Sequence, residues 1–244
     1  MQAIKINNLR KEYKDIVAVD DLCLEIEEGE LFSLLGVNGA GKTTTIKMLS
    51  TLTKPTSGDA FIYDYSINKD EDKIKEIIDV SMQETAVARK LSVEENIEFY
   101  AKLSGQTQEE IEETKKYVYD AFGLDKVAKK QTSKLSGGWQ RKLSIALALV
   151  TKPKVLFLDE PTLGLDVIAR RELWNTINQL KKKMTIILTT HYMEEAESLS
   201  DRIGIMKDGK LLFVGTKEEL YAKTNKNNVE DAFIEVVSGG KNYE

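Results

Sequence analysis

Residues 36–44 read GVNGAGKTT and follow directly on the apolar run Leu31–Leu35. The spacing is G-x-x-x-x-G-K-[ST], and its order, a buried strand and then a glycine-rich loop before a helix-like segment ("TTIKMLSTL"), is the context that gives the motif meaning. Glycines at Gly36, Gly39 and Gly41 remove Cβ atoms where successive backbone N–H groups must turn inward around an anion. The helix that follows points its positive end at the same place. Lys42 is positioned to reach β and γ phosphates, and the Thr43 hydroxyl to meet Mg²⁺. Asn38, Ala40 and Thr44 complete the cradle. The stretch demands a strand–loop–helix unit and specifies nucleotide binding.

The rest of the chain is compatible with that unit. "AIKIN" and "LCLEIEEGE" alternate in the manner of half-buried strands, "TKPTSGD" is a loop cluster, and "AFIYDY" returns to strand. From about Leu91 to Val150 the pattern becomes helical and charged, and Ser92 three residues before Glu95 marks a helix start with a capping box. Strands resume with "KVLFLDE" and "MTIILTTH", with the helical "RRELWNTINQL" between them. "RIGIMKDGKLLFVG" reads as a hairpin turning at Asp208-Gly209 in a type I′ turn. Alternating strands and helices at both ends imply a mainly parallel α/β core interrupted by a helical insertion. The lysines of "KKKM" (Lys181–Lys183) suit a solvated helix end, where cations complement the dipole.

With 40 acidic against 35 basic residues the net charge is −5, so no nucleic-acid partner is expected. Cys23 is the single cysteine and has no internal partner for a disulfide, which fits a reducing cytoplasm. The N-terminus has no apolar core of signal-peptide type. Apolar runs such as "IALALV" fall far short of the roughly 20 residues a bilayer-spanning helix needs. The chain is therefore expected to be soluble by itself and to reach a membrane only by docking.

"VLFLDE" ends a buried strand in Asp159 and Glu160. Acids in that place usually cap helices. Beside a phosphate loop the balance reverses: Asp159 can hold Mg²⁺, and Glu160 can polarise an attacking water as general base.

The order of the phosphate loop, "LSGG" (Leu135–Gly138), "VLFLDEP", "GLD" (Gly164–Asp166) and a strand-end histidine resembles that of the ATP-binding cassette (ABC) ATPases, over residues 4 to about 220. The resemblance implies an α/β P-loop NTPase (RecA-like) fold. Its mainly parallel sheet core would carry an N-terminal antiparallel β subdomain and an inserted α-helical subdomain. The implied layout is one ATPase domain over 1–220, with core segments at about 1–85 and 153–220, a helical subdomain at about 86–152, and a short extension at 221–244. By the same resemblance, Tyr13 stacks on adenine and Gln83 contacts Mg²⁺ and water while reporting to a transporter. Asp166 belongs to a loop that crosses to a second subunit, and His191 bonds the γ-phosphate and orients the water. Ser136, Gly137 and Gly138 grip ATP held by another copy.

The chain is thus identified as resembling the ATPase subunit of an ABC membrane transporter, with ATP and Mg²⁺ as cofactors. Its implied partners are a separate permease and a second ATPase subunit, identical or paralogous, and its implied place is the cytoplasmic face of the membrane. The permease contact is expected near Gln83 and Thr85–Tyr100. Within the family, the segments around the phosphate loop, "THYMEEAESLSDRIGIMKDGKLLFVGT" and "NNVEDAFIEV" look like the daunorubicin-type and sodium-extrusion exporters. Two departures stand out: Trp139, where relatives commonly carry glutamine or methionine, expected to pack against the helical subdomain, with the subunit interface as the alternative, and Val167, where many have proline. The alternative is an ABC ATPase acting on ribosomes or DNA without a permease. A P-loop kinase would leave "LSGG" and the His191 context unexplained.

Overall fold

The fold, taken from a computed structural model, is described for residues 1–181 and 183–239. Two long strands, β1 (Gln2–Tyr13) and β2 (Ile16–Glu27), form an antiparallel hairpin. Its alternating pattern places Ile4 opposite Ile26, Ile6 opposite Leu24 and Leu9 opposite Leu22, all buried on one face. β4 (Ser57–Ile62) and β5 (Tyr65–Ser66) complete a four-stranded sheet in the order β2-β1-β4-β5. β4 begins inside the stretch read as loop from sequence. At its second residue, Gly58 adopts φ +79°, and a Cβ there would lie 2.2 Å from the Asn8 carbonyl oxygen. The loop-like composition therefore serves a close strand crossing.

The second sheet holds β3 (Leu31–Leu35), β6 (Ile78–Ser81), β7 (Val155–Asp159), β8 (Thr185–Thr190), β9 (Arg202–Lys207) and β10 (Lys210–Gly215) in the order β10-β9-β3-β8-β7-β6. All neighbours are parallel except β9 and β10. β3, β7 and β8 are buried along their whole length, which is why they read as continuous rather than alternating apolar runs. The hairpin turn predicted between β9 and β10 is present, with φ +48° at Asp208 and +78° at Gly209, as a type I′ turn requires.

α1 (Lys42–Leu49) follows β3, and the short α2 (Glu71–Lys75) precedes β6. Between β6 and β7 lie α3 (Val93–Leu103), α4 (Gln108–Phe122), two 3₁₀ turns and α5 (Gly137–Ala148). The capping box at Ser92 forms as expected: the Glu95 amide donates to Ser92 Oγ at 3.2 Å and the Ser92 amide to Glu95 Oε2 at 2.7 Å. These helices, with α6 (Val167–Lys181), bury Leu156, Leu158, Ile186 and Leu188 on one face of the parallel sheet. Phe32, Leu34, Phe157 and Ile187 point the other way, into a cluster shared with α1 and the antiparallel sheet. α7 (Met193–Leu199), α8 (Lys217–Thr224) and α9 (Val229–Ser238) form a third cluster with Leu35, Ile203 and Ile205. No break falls at residue 220, because α8 runs across it, and Leu220, Val229 and Phe233 are buried together. Residues 240–244 of the expected extension lie outside the described residues, as does Lys182 of the lysine run. Lys181 pairs with Asp201 at 2.5 Å.

Candidate nucleotide-binding site

Five parallel strands end on one side of their sheet, and each delivers one part of the site. β3 leads into the glycine loop, β6 into Gln83, β7 into Glu160, β8 into His191 and β9 into Asp208. A cleft of about 790 Å³ opens there, which matches the rule that open α/β sheets bind ligands at the carboxyl ends of their strands. Its walls include Tyr13, the run Asn38–Thr44, Gln83, Glu160 and His191.

The loop's glycines have separate physical reasons. Gly41 sits at φ +104°, and a Cβ there would lie 2.3 Å from the Ala18 carbonyl oxygen of β2. Gly36 has ordinary backbone angles, but its Cβ would lie 2.5 Å from the Met206 carbonyl oxygen of β9. Gly39, at φ +84°, faces open space and is required by conformation alone. Gly41 caps α1 without a side-chain bond, so the first amides of that helix point into the cleft with no intrahelical acceptor. A phosphate fits the chemistry of that cradle.

Lys42 is buried and curls back over the loop. Its Nζ donates to the Gly36 carbonyl at 2.7 Å and lies 3.3 Å from Glu160 Oε1. The other Glu160 oxygen, Oε2, is 2.7 Å from His191 Nδ1. Glu160 is thus held between a lysine and a histidine that are 149 residues apart in the sequence, as 191 minus 42. Its backbone is at φ +48°, a region that non-glycine residues seldom occupy. The Glu160 amide bonds both the carbonyl and the hydroxyl of Thr189.

Asp159 is fully buried behind the loop. Its Oδ1 accepts from Thr43 Oγ1 at 3.1 Å and from Thr189 Oγ1 at 2.5 Å, while its Oδ2 has no hydrogen-bond partner. A buried carboxylate oxygen left unbonded is costly. With the Thr43 hydroxyl beside it and Gln83 on the same cleft, it fits the all-oxygen coordination that Mg²⁺ prefers.

Not every residue selected from sequence lies on this cleft. Ser136, Gly137, Gly138 and Asp166 are not among its lining residues. Ser136 is the exposed N-cap of α5 and makes no capping bond with its side chain. Gly137 is exposed with nothing within 4 Å of where a Cβ would stand, whereas Gly138 has Ala169 of α6 at 3.3 Å. Asp166 Oδ1 accepts from the amides of Ile168 and Ala169, each at 2.9 Å, which makes it the N-cap of α6. Trp139 is half-buried against the helical cluster, with Lys142 Nζ 4.8 Å from its ring centroid, as its apolar area suggested. Tyr13 stands exposed at the cleft mouth with Lys11 Nζ 4.9 Å from its ring centroid.

Other residues at the site were not anticipated. Asp208 lines the cleft, although only its turn geometry was legible. Glu195 of α7 is fully buried; its Oε1 accepts from Trp174 Nε1 at 3.0 Å, and burial pushes its carboxyl above the usual range. Arg141 of α5 is buried and forms no ion pair among the described residues. A charged residue ahead of the apolar run "LSIALALV" was the only signal for it.

A family model described as ABC transporter matches residues 19–163. The human phospholipid-transporting ATPase ABCA3 is 44% identical over 217 residues, which cover 87% of this chain and 13% of that protein. ABC transporter A family member 7 of Dictyostelium discoideum is 43% identical over 221 residues, covering 89% of this chain and 26% of its own length. The chain therefore spans 13% and 26% of the lengths of these two relatives. Among solved structures, the ATP-binding subunit of an ABC transporter superposes with a TM-score of 0.86 at 25% identity, over 96% of this chain and 99% of its own. The dimeric post-hydrolysis state of an ATP-binding cassette, bound to ADP and Pi, superposes with a TM-score of 0.79 at 27% identity, over 87% and 98%. On the matched family model and the fold that carries it, the chain belongs to the ATP-hydrolysing domains of the ABC transporter family.

Proposed function

We propose that this ATPase domain binds MgATP in the cleft, dimerises around it and uses its hydrolysis to drive a membrane permease encoded separately. The observation that carries the reading is the meeting of Lys42, Thr43, Asp159, Glu160 and His191 at the ends of three neighbouring strands. Lys42 neutralises β and γ phosphate oxygens, exchanging its contact with Glu160 for them. Thr43, Asp159 and Gln83 hold Mg²⁺, which supplies charge neutralisation across the phosphates when bound. Glu160, released by Lys42, accepts the proton of the attacking water. His191 keeps Glu160 oriented through Nδ1 and presents its other nitrogen to the γ-phosphate. Tyr13 stacks on the base.

Ser136 and the free amides at the start of α5 grip the γ-phosphate bound by a second copy. The bareness of Gly137, which neither packing nor backbone angle requires, supports that role. Asp166, as the cap of α6, holds the loop that would cross between copies. The helical segment at 86–152 acts as a subdomain next to the core at 1–85 and 153–220, and a permease docks near Gln83 and Thr85–Tyr100 at the cytoplasmic face. The exposed Phe99 and Leu103 on α3 suit such a contact. No helix among the described residues is long and apolar enough to cross a membrane. The exporter direction, in the manner of drug and sodium extrusion systems, rests on the sequence segments quoted above.

Glu160→Gln tests the core of the reading. It is expected to bind ATP normally, to lose ATPase activity by at least a hundredfold, and to elute as a dimer in ATP but as a monomer in ADP. Near-normal turnover removes Glu160 as the base. A monomer in ATP removes the two-copy mechanism.

A further inference from the structure

Arg141 lies five residues beyond Ser136 on α5, yet its guanidinium reaches back to the cleft of its own chain. Nε donates to the Pro161 carbonyl at 2.8 Å and Nη2 to the Asp159 carbonyl at 2.8 Å. Nη1 donates to the carbonyls of Met82 at 2.6 Å and Gln83 at 3.2 Å. Four of the five donors are thus spent on backbone oxygens from the ends of two strands. Burying a guanidinium in this way is expensive, and it lowers the Arg141 pKa to about 10 despite the nearby acids Asp159, Glu195 and Glu160. Such a group persists where its bonds over-determine something else.

What it over-determines is Glu160. The two carbonyls on either side of that residue, at Asp159 and Pro161, are both tied to one rigid planar group. Glu160 itself sits at φ +48° and would relax toward ordinary angles if the Asp159–Glu160 peptide and the chain beyond Pro161 were free to turn. The same group fixes the peptide of Gln83 on the neighbouring strand end, so Gln83 and Glu160 share one anchor, and that anchor stands on α5.

We propose that Arg141 is the positioning residue that locks Glu160 and Gln83 into their working geometry and makes the first turn of α5 move with them. On the ATPase reading above, one copy's grip on its partner's nucleotide is thereby linked to the chemistry in its own cleft. Lysine cannot replace it, because a single ammonium presents its donors from one point and cannot span both strand ends.

The whole chain with Arg141→Lys, and in parallel with Arg141→Gln, tests this. Expected are a melting temperature within a few degrees of wild type, an MgATP dissociation constant within about threefold, and kcat at least tenfold lower with KM little changed. Trp139, on the first turn of α5, gives a reading that needs no turnover. MgATP is expected to change its emission in the wild type, assigned by the loss of that change in Trp139→Phe, and to change it by less than a third as much in Arg141→Lys. If Arg141→Gln fails to fold, Arg141→Lys carries the test. A kcat within twofold of wild type overturns the proposal, and so does a loss of kcat that merely follows stability or nucleotide affinity. An absent Trp139 response in the wild type, or an undiminished one in the variant, overturns it as well. Failure of the two-copy mechanism reads out separately, as a monomeric Glu160→Gln in ATP with the Arg141 effect on Trp139 intact.

Discussion

Replacing Gly41 by alanine applies the smallest possible perturbation to the phosphate loop, and its cost can be built from two parts. The first is conformational: at φ +104° the residue lies outside the left-handed well that side chains tolerate, at a cost of about 1–3 kcal/mol. The second is steric: the new methyl would lie 2.3 Å from the Ala18 carbonyl oxygen and 2.7 Å from Met206 Cε. The methionine tip can swing away, but the carbonyl belongs to β2 and cannot, so overpacking adds about 1–3 kcal/mol. The sum, about 2–6 kcal/mol, corresponds to a fall in melting temperature of roughly 4–24 °C in a chain of this size. Relaxation of the loop instead would transfer the cost to ligand binding, so both quantities need to be measured. Calorimetric melting and titration with a fluorescent ATP analogue, each on Gly41→Ala and Gly39→Ala, provide the assay. Gly39 carries the backbone term, at φ +84°, without the steric one, since nothing stands within 4 Å. Gly39→Ala is therefore expected to lose about 1–3 kcal/mol, and Gly41→Ala clearly more. If Gly41→Ala melts within about 1 °C of wild type and binds nucleotide within twofold, or if the two variants are equally impaired, the account of the loop is wrong.

Gly137→Ala should behave in the opposite way: with ordinary backbone angles and open space it should melt like the wild type, yet lose ATP-dependent dimerisation in the Glu160→Gln background, measured by light scattering. Full dimerisation would deny the start of α5 a role at the second copy. Asp79→Asn probes electrostatics away from the cleft. Burial raises the Asp79 carboxyl from 3.8 to about 6, so its contribution to stability is fully present below about pH 4 and is lost as pH rises through 6. Because the group is half-buried, the ionised form at pH 8 is expected to cost on the order of 1–2 kcal/mol, and the asparagine variant should gain that amount over wild type at pH 8 but not at pH 4. Urea midpoints at the two pH values check this, and an equal difference at both would refute it.

Reading from sequence went furthest where the physics is local. The glycine loop, the capping box at Ser92 and the turn at Asp208-Gly209 each depend on neighbours within a few residues, and each stands where the pattern put it. It was weaker where one residue type serves several ends. The glycine and serine of "TKPTSGD" signalled a loop, but Gly58 lies in a strand pressed against Asn8. Asp166 was selected for a contact with another copy, and within one chain its carboxylate caps α6.

By itself the sequence determined that a phosphate-binding strand–loop–helix is present, that buried parallel strands alternate with helices, and that Asp159, Glu160 and His191 stand at strand ends. Period, burial and glycine geometry act over short spans of chain, so they are written into it directly. Only the tertiary structure decided that Glu160 bridges Lys42 and His191, that Asp159 keeps one buried oxygen unbonded, and that Arg141 ties the ends of β6 and β7 to α5. The acceptors of Arg141 are backbone carbonyls, which every residue type carries. No choice of side chain at 82, 83, 159 or 161 could have announced them before the strands were laid side by side.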